Sequence, residues 1–370
     1  MNVSYDLFLI IPPGLEDLAK EEVELKCPVS EITIHKGGLS LKADIDWISF
    51  AHTTLKIPTR ILMRMTEFKV RDFPKLYQKM TSFKWTPFLS HPSPQWEISC
   101  TRSRLMHTGR IEETLNESIK EILKRQPLSK DWEKKKFSPQ CFYIRICDDL
   151  LTLSLDLTGD PLYKRGIQVI KGEAPLRENF AAAFIFELLK NIPGPVTLID
   201  PMCGSATFLT EALYFFQPLH QRKFSFEEAP FFKGKLIKIA DPQGELPLKK
   251  LVGFDINEDL IKKVKHSLHE STPIELHHQD SLKDKLRQED VLMICNPPYG
   301  ERIKIQGKRG QFLSDAWKKY IEIDQPLRFG WLLPSDMDDL FQNPSGYKLL
   351  TKRHLRNGGL AVTFWIWERA

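Results

Sequence analysis

The amino-acid sequence predicts an α/β fold, with a doubly wound, Rossmann-like parallel sheet in the second half of the chain and smaller α+β units before it. From about residue 175, short continuous apolar strands alternate with helices, as in sheets that are covered on both faces. Before that point, strands and helices follow the order of small α+β sandwiches. A length of 370 residues leaves room for two or three domains of ordinary size.

Two α+β units are expected in the first half. The first covers residues 1–68, where Pro12-Pro13-Gly14 ends the opening strand and acids stand in the first turn of the following helix. The second covers residues 69–165 and contains an amphipathic helix over residues 108–124. The predicted strands are 5–11, 31–35, 38–43, 60–68, 96–101, 141–146 and 151–157.

The second half, residues 166–370, is expected to form the doubly wound domain. Residues 217–250 are rich in aromatic, proline and lysine residues and are predicted to be an insertion. Ligands of such sheets bind outside the carboxyl ends of the strands, so the residues that end each strand are the first candidates for function. The predicted strands are 196–200, 251–255, 274–280, 291–295, 329–333 and 360–367.

The composition indicates a soluble protein without a metal. No apolar stretch reaches the roughly 20 residues that span a bilayer, and the N-terminus lacks a basic start followed by an apolar core. The six cysteines form no CxxC pair, so we expect reduced thiols rather than disulfides or zinc ligands. These features predict a cytoplasmic protein.

Positive charge is concentrated in the middle of the chain. Residues 60–170 carry 20 lysines and arginines against 13 acidic residues, a net charge of +7, while the whole chain has +5. Aromatic residues are interleaved with these cations, a pattern that favours nucleic-acid binding but also occurs on ordinary solvated surfaces. The candidate RNA-binding residues are Arg102, Arg104, Lys134, Lys135, Lys136, Lys164 and Arg165.

The first polar motif follows the strand at 196–200 and opens a helix. It reads Asp200-Pro201-Met202-Cys203-Gly204-Ser205-Ala206-Thr207, and its small residues would let the backbone approach a ligand closely. The loop has no basic residue and the chain has no GxxxxGK[ST] sequence, so a phosphate-binding loop is not expected. Taken alone, the motif is also compatible with a structural turn.

Two further strands end in an acid. Asp255, followed by Ile256, ends the strand at 251–255 and could accept hydrogen bonds from both hydroxyls of a ribose. Alone, it could equally cap the helix that follows. Asp280 ends the strand at 274–280 and could accept from an adenine amine, although a turn role is an equal alternative.

The most specific motif is Asn296-Pro297-Pro298-Tyr299-Gly300, directly after the strand at 291–295. The prolines remove two N–H donors, which leaves the Asn296 side chain and the Pro297 carbonyl as acceptors beside the Tyr299 ring. These groups suit a planar ligand with an exocyclic NH2, because the acceptors bind both N–H bonds, the nitrogen lone pair stays free to attack and the ring stacks on the base. Together the four motifs predict an S-adenosylmethionine site beside an amine-bearing planar substrate.

With these motifs the chain resembles the THUMP-domain RNA guanine-N2 methyltransferases, a group that includes bacterial 23S rRNA and tRNA enzymes. The resemblance extends over nearly the whole sequence. Beyond the four motifs, it rests on FLIIPPGLE at 8–16, SLDLTGDPLYKRG at 154–166, APLREN at 174–179, RKFSFE at 222–227 and the basic residues between 352 and 358.

The resemblance implies a ferredoxin-like domain over residues 1–68, a THUMP domain that binds structured RNA over residues 69–165, and a class I methyltransferase domain over residues 166–370. It implies that Asn296, Pro297 and Tyr299 are catalytic. The residues that would bind the cofactor are Pro175, Asp200, Pro201, Cys203, Gly204, Ser205, Ala206, Thr207, Asp255, Ile256, Asp280 and Asn296.

Two residues depart from the family pattern, Ala206 and Gln168, and Gln168 stands near a position where an arginine is common. The family's loop usually reads Gly-Ser-Gly-Thr, and Ala206 stands at the second glycine, where an alanine is tolerable if its φ is negative. The resemblance favours guanine N2 in 23S rRNA. The alternatives are tRNA as substrate, adenine N6 as the methylated atom, a glutamine of a release factor, and a catalytically inactive RNA-binding assembly factor.

Overall fold

The computed structural model of the protein describes residues 3–128, 138–165, 176–218, 222–235, 244–268, 272–283, 286, 290–298, 309–341 and 343–370. These residues form two seven-stranded sheets. The chain divides into a first unit, with residues 1–11, 23–162 and 220–239, and a second unit, with residues 12–22, 163–219 and 240–370. In the described ranges, no helix is both long and apolar enough to cross a membrane.

The first unit is built on a sheet with the strand order β2-β3-β1-β4-β7-β6-β5. The parallel pair is β5 with β6, and the other neighbours are antiparallel. Its strands are β1 (Tyr5–Ile10), β2 (Ile32–His35), β3 (Gly38–Ala43), β4 (Arg60–Lys69), β5 (Gln95–Thr101), β6 (Cys141–Cys147) and β7 (Leu150–Asp156). The helices of this half of the sequence are α1 (Glu16–Lys26), α2 (Ile45–Thr54), α3 (Phe73–Ser82) and α4 (Thr108–Arg125).

The pairing of β4 with β7 carries this sheet across the predicted boundary at residues 68 and 69. Leu62 lies opposite Asp156, and Lys69 lies opposite Leu150. The two predicted N-terminal domains therefore contribute strands to a single sheet, and the boundary between them stays a prediction.

The second unit is built on a sheet with the strand order β10-β9-β8-β11-β12-β14-β13. Its strands are β8 (Val196–Asp200), β9 (Leu248–Asp255), β10 (Ile274–His278), β11 (Val291–Cys295), β12 (Arg328–Pro334), β13 (Tyr347–Asn357) and β14 (Leu360–Arg369). Its helices are α5 (Glu178–Leu188), α6 (Thr207–Leu213), α7 (Glu258–Ser267) and α8 (Arg309–Lys318).

Five neighbouring strands of the second sheet, from β10 to β12, are parallel, and β14 and β13 continue it in antiparallel pairs. The strands β8, β11 and β12 are buried at every position, as is typical of parallel sheets that are covered on both faces. The predicted Rossmann-like α/β fold is therefore confirmed. The strand order reverses between β8 and β11, so their carboxyl ends flank the position where such sheets bind ligands.

The predicted insertion contributes to the core of the first unit. Two short 3-10 turns, Ser225–Glu228 and Pro230–Phe232, follow one another there. The Phe226 N–H donates to the Leu157 carbonyl over 3.0 Å. The buried His52 ring lies 5.0 Å from the centroid of the Phe224 ring and 4.7 Å from that of the Phe226 ring. A segment that follows β8 in sequence thus covers a histidine of the N-terminal half.

Candidate functional site

The loop after β8 forms the centre of the candidate site. Asp200 ends this strand with 2% of its surface exposed, and its Oδ1 accepts the Met202 N–H over 3.2 Å. The Cys203 N–H donates to the Phe254 carbonyl over 2.8 Å, and the Gly204 N–H donates to Asp255 Oδ2 over 3.0 Å. These bonds fix the loop against the carboxyl end of the neighbouring strand β9.

Asp255 connects the ends of three strands. Besides Gly204, its carboxylate accepts the Asn257 N–H over 2.8 Å, and its backbone carbonyl accepts the Gln279 N–H over 3.0 Å. The N-cap of α7 is Asn257, whose side chain accepts the Leu260 N–H, so the alternative that Asp255 caps this helix is wrong. Each carboxylate oxygen accepts one backbone N–H and keeps a lone pair for a ligand hydroxyl.

Two predicted cofactor residues border Asp255 on the surface. Ile256 exposes 71% of its area, which leaves an apolar side chain free to pack against a flat ring. Asp280 accepts the Leu282 N–H over 3.1 Å and lies 3.4 Å from the Lys283 ammonium. The turn role that the sequence allowed for Asp280 is therefore real, and a third of its side chain remains exposed.

Gly253 is a necessary part of the site that the sequence reasoning missed. A Cβ at this position would lie 2.8 Å from Leu209 Cδ1 and Leu276 Cδ2, and 2.9 Å from Cys203 Sγ. The glycine therefore allows β9 to pack closely against α6 and the loop after β8. The available signal was a glycine inside an otherwise apolar strand, which often marks such a close approach.

Ala206 adopts a left-handed conformation with a φ of 59°. The negative φ at which an alanine would be tolerated here is therefore not adopted. The Ala206 N–H donates to the Cys203 carbonyl over 2.7 Å, which closes this turn. The two flanking hydroxyls, on Ser205 and Thr207, lie 3.1 Å apart. The left-handed region costs an L-residue roughly 1–2 kcal/mol, a cost that glycine avoids.

The motif after β11 presents an unpartnered acceptor. The Asn296 Oδ1 atom is buried and has no hydrogen-bond partner in the described part of the chain. Pro297 is buried beside it. A buried amide oxygen without a hydrogen-bond partner destabilises the folded state by roughly 1–3 kcal/mol. Such an oxygen at the end of a strand is therefore suited to accept a hydrogen bond from a ligand. Tyr299 lies outside the described residues.

Burial dominates the electrostatics under the loop. It raises the pKa of Asp200 to about 8, and the nearby carboxylate of Asp255 adds to the rise. It also raises the pKa values of the Cys203 and Cys295 thiols well above their ordinary range. Both thiols stay protonated at neutral pH, which makes them poor nucleophiles. Among the residues described, no group of three or more His, Cys, Asp or Glu is arranged to hold a metal ion.

The described RNA-binding candidates divide into exposed and buried side chains. Arg102 is exposed and donates to the Asp148 carboxylate over 2.8 and 2.9 Å, and Arg104 is exposed. Lys164 is also exposed.

Arg165 is buried, and its guanidinium donates to the Glu211 carboxylate over 2.9 and 3.1 Å. The prediction that Arg165 contacts RNA is therefore corrected. Lys134, Lys135 and Lys136, like the predicted cofactor residue Pro175, lie outside the described residues.

The reversed strand order and the polar groups at the ends of β8, β9 and β11 agree with the methyltransferase domain that the sequence predicts. More particularly, a model of the UPF0020 family, described as the RMKL-like methyltransferase domain, matches residues 165–324. This segment of the chain is therefore similar to that family. The match confirms two predictions. The first is a methyltransferase of this RNA-modifying group, and the second is S-adenosylmethionine as its cofactor.

Relatives resemble the chain well beyond this domain. YpsC of Bacillus subtilis (strain 168), whose name provisionally assigns it as an RNA methyltransferase, is 26% identical over 98% of this chain and 95% of its own length. The ribosomal RNA large subunit methyltransferase K/L of Buchnera aphidicola is 26% identical over 82% of this chain, which spans 46% of that relative. SMU.472, a provisionally assigned methyltransferase solved with SAH, shares the fold with a TM-score of 0.78 at 22% identity, over 100% of this chain and 99% of its own.

Proposed function

We propose that this chain transfers a methyl group from S-adenosylmethionine to the exocyclic N2 of a guanine in structured RNA, with 23S rRNA as its substrate. The observation that carries the proposal is the buried, unpartnered Asn296 Oδ1 at the end of β11, in the described part of the chain. The match to the RMKL-like methyltransferase domain supports the reaction class. The names of YpsC and of methyltransferase K/L support RNA, and the latter supports large-subunit rRNA.

The ends of β8, β9 and β10 fit S-adenosylmethionine. Asp255 retains lone pairs for the ribose hydroxyls, Ile256 offers an apolar surface for the adenine, and Asp280 has an acceptor for its amine. The loop over residues 200–207 brings its backbone close to the same space, because Gly204 carries no side chain and Gly253 allows the loop to sit low on β9. When bound, S-adenosylmethionine supplies an electrophilic methyl group on a cationic sulfur.

Asn296 and Pro297 position the nucleophile. The Asn296 Oδ1 and the Pro297 carbonyl accept the two N–H bonds of the exocyclic amine, which holds the nitrogen lone pair perpendicular to the base and toward the cofactor. These acceptors also stabilise the positive charge that develops on the nitrogen during transfer. No strong base is needed, because the proton leaves after the nitrogen has become cationic. The protonated Cys295 thiol takes no part.

The first unit would bind the RNA outside the target base. Its exposed cations Arg102 and Arg104 lie in the loop after β5, where they could contact phosphates, a contribution that weakens with salt. The target guanine must leave its stack to reach the ends of β8 and β11, at a cost of a few kcal/mol. The resemblance assigns this unit to ferredoxin-like and THUMP domains, and we propose that it recognises the RNA by shape.

The test is methyl transfer from labelled S-adenosylmethionine to unmodified bulk RNA, followed by digestion to nucleosides and mass analysis. We expect N2-methylguanosine, recovered from the large-subunit rRNA fraction. Label in tRNA would change the substrate but keep the reaction, and N6-methyladenosine would replace guanine N2 as the target atom. A protein that binds no cofactor would overturn the enzymatic proposal and leave an RNA-binding assembly factor.

A further inference from the structure

A π-helical turn supports the loop that carries Asp280. The segment Lys319–Asp324 continues α8 with this wider helical geometry, and single π-helical turns frequently occur at functional sites. The Ser281 and Tyr320 hydroxyls lie 2.7 Å apart, and both side chains are buried. This hydrogen bond joins the π-helical turn to the residue that directly follows Asp280.

The same turn holds the loop at a second point. Asp324 Oδ1 accepts the Leu286 N–H over 2.9 Å, and Asp324 Oδ2 lies 2.7 Å from the Lys319 ammonium. The side chains of this ion pair are 2% and 9% exposed, so it forms a fixed part of the interior. The residues that follow β10 are therefore attached to the π-helical turn at Ser281 and again at Leu286.

Asp280 lies in a tight turn that these attachments hold. Its Oδ1 accepts the Leu282 N–H and its carbonyl accepts the Lys283 N–H, each over 3.1 Å. Ser281 is inside this turn, so its bond to Tyr320 fixes the direction in which the Asp280 carboxylate is presented. A carboxylate that is partly exposed and held in this way is an oriented acceptor for a ligand.

We propose that Tyr320 is a positioning residue that makes the cofactor site selective for adenine, because its hydroxyl holds Ser281 and thereby directs the Asp280 carboxylate at the adenine amine. This inference rests on the proposed role of Asp280 and adds the residue on which that role depends. An ionised carboxylate only accepts hydrogen bonds, so Asp280 favours an exocyclic amine over a carbonyl at the same ring position. Burial raises the pKa of Tyr320 well above its ordinary value, so the hydroxyl keeps its proton at neutral pH.

The test compares two ligands by isothermal titration calorimetry. They are S-adenosylhomocysteine and S-inosylhomocysteine, in which a carbonyl replaces the adenine amine. We expect the wild type to bind S-adenosylhomocysteine at least about tenfold more tightly, because the analogue places an acceptor against Asp280. In Tyr320→Phe this preference should fall by about threefold or more, through weaker binding of S-adenosylhomocysteine alone. A role confined to stability would not change the ratio of the two Kd values.

Tyr347→Phe is the matched control. The Tyr347 hydroxyl donates to the Pro326 carbonyl over 2.7 Å, so this variant also removes one tyrosine hydrogen bond from the second unit. It should lower the Tm to a similar extent and keep the wild-type preference. Ser281→Ala removes the other partner of the bond and should reduce the preference as Tyr320→Phe does, which provides the test a second variant if the first folds poorly.

The outcomes separate the inference from the functions on which it rests. An unchanged preference in Tyr320→Phe or in Ser281→Ala would overturn the inference and leave the proposed role of Asp280 in place. A wild type that binds the two ligands equally would overturn both. Neither measurement involves RNA, so guanine N2 as the methylated atom stands or falls separately, on the analysis of the nucleoside product.

Discussion

The backbone N–H of Gly204 donates to Asp255 Oδ2 over 3.0 Å, and this bond joins the loop after β8 to the end of β9. One carboxylate therefore holds the loop in shape and also faces the proposed ribose. The two roles are connected, because a ribose hydroxyl would donate to the same carboxylate oxygen that accepts the Gly204 N–H. The position of this oxygen therefore depends on the loop.

Asp255→Ala removes this carboxylate from the site. We expect the Kd for S-adenosylmethionine to rise at least tenfold, since hydrogen bonds to charged groups contribute about 1.5–3 kcal/mol. Isothermal titration calorimetry measures the change. Asp259→Ala on the exposed surface of α7 is the matched control and should bind the cofactor as the wild type does. Equal affinity in both variants would remove Asp255 from the cofactor site.

Ala206→Gly should stabilise the protein by about 1 kcal/mol, because glycine adopts a positive φ without the steric cost that Ala206 bears at 59°. The change is measured as a rise in Tm. Ala212→Gly is the control, since Ala212 lies inside α6 with no such constraint, and glycine there should lower stability by roughly 0.5–1 kcal/mol. A fall in Tm for Ala206→Gly would show that the buried methyl group contributes more than the conformation costs.

Asp200 makes stability depend on pH. Burial raises the pKa of its carboxyl from an ordinary value near 3.8 to about 8, so the folded protein holds a proton that the unfolded chain releases. The contribution of this carboxyl group to the free energy of unfolding is therefore fully present below about pH 4. It declines as the pH rises toward 8. We expect the Tm of the wild type minus the Tm of Asp200→Asn to become smaller as the pH rises from 5 to 8. A difference that stays constant over this range would contradict the raised pKa.

Asn296→Ala should retain cofactor binding and lose methyl transfer. In the proposed arrangement the side-chain oxygen accepts a hydrogen bond from the substrate amine, so its removal affects the nucleophile rather than the cofactor. We expect kcat on unmodified rRNA to fall at least a hundredfold, in the range reported for one preorganised polar group, while the Kd for S-adenosylmethionine stays within about twofold. Turnover at the wild-type rate would exclude the proposed role for Asn296.

Arg165→Leu should lower stability rather than RNA affinity. It leaves the Glu211 carboxylate buried without its bidentate partner, a change that costs roughly 3–5 kcal/mol. Lys164→Leu is the control at the exposed neighbouring position, and it should leave the denaturation midpoint nearly unchanged. If Arg165→Leu instead unfolds at the wild-type midpoint and binds RNA more weakly, the original RNA-binding prediction for Arg165 would be restored.

The sequence predicted features that depend on local order along the chain. The acids and the asparagine that end apolar strands could be recognised because parallel strands place such residues at one edge of the sheet. The φ of Ala206 could not be predicted, since it depends on how the loop turns between two fixed strands.

Burial also depends on neighbours that are distant in sequence. Arg165 appeared to be one more cation in a basic segment, and only the fold brings Glu211 to it.

The rings of Phe224 and Phe226 over His52 impose an order on biosynthesis. The histidine leaves the ribosome early, but the segment that covers it follows only after β8 and α6 have been made. At ordinary elongation rates this delay lasts roughly ten to thirty seconds. The N-terminal half therefore cannot finish folding as it emerges. Its core closes only when more than half of the polypeptide has been translated, which couples the maturation of the two units during synthesis.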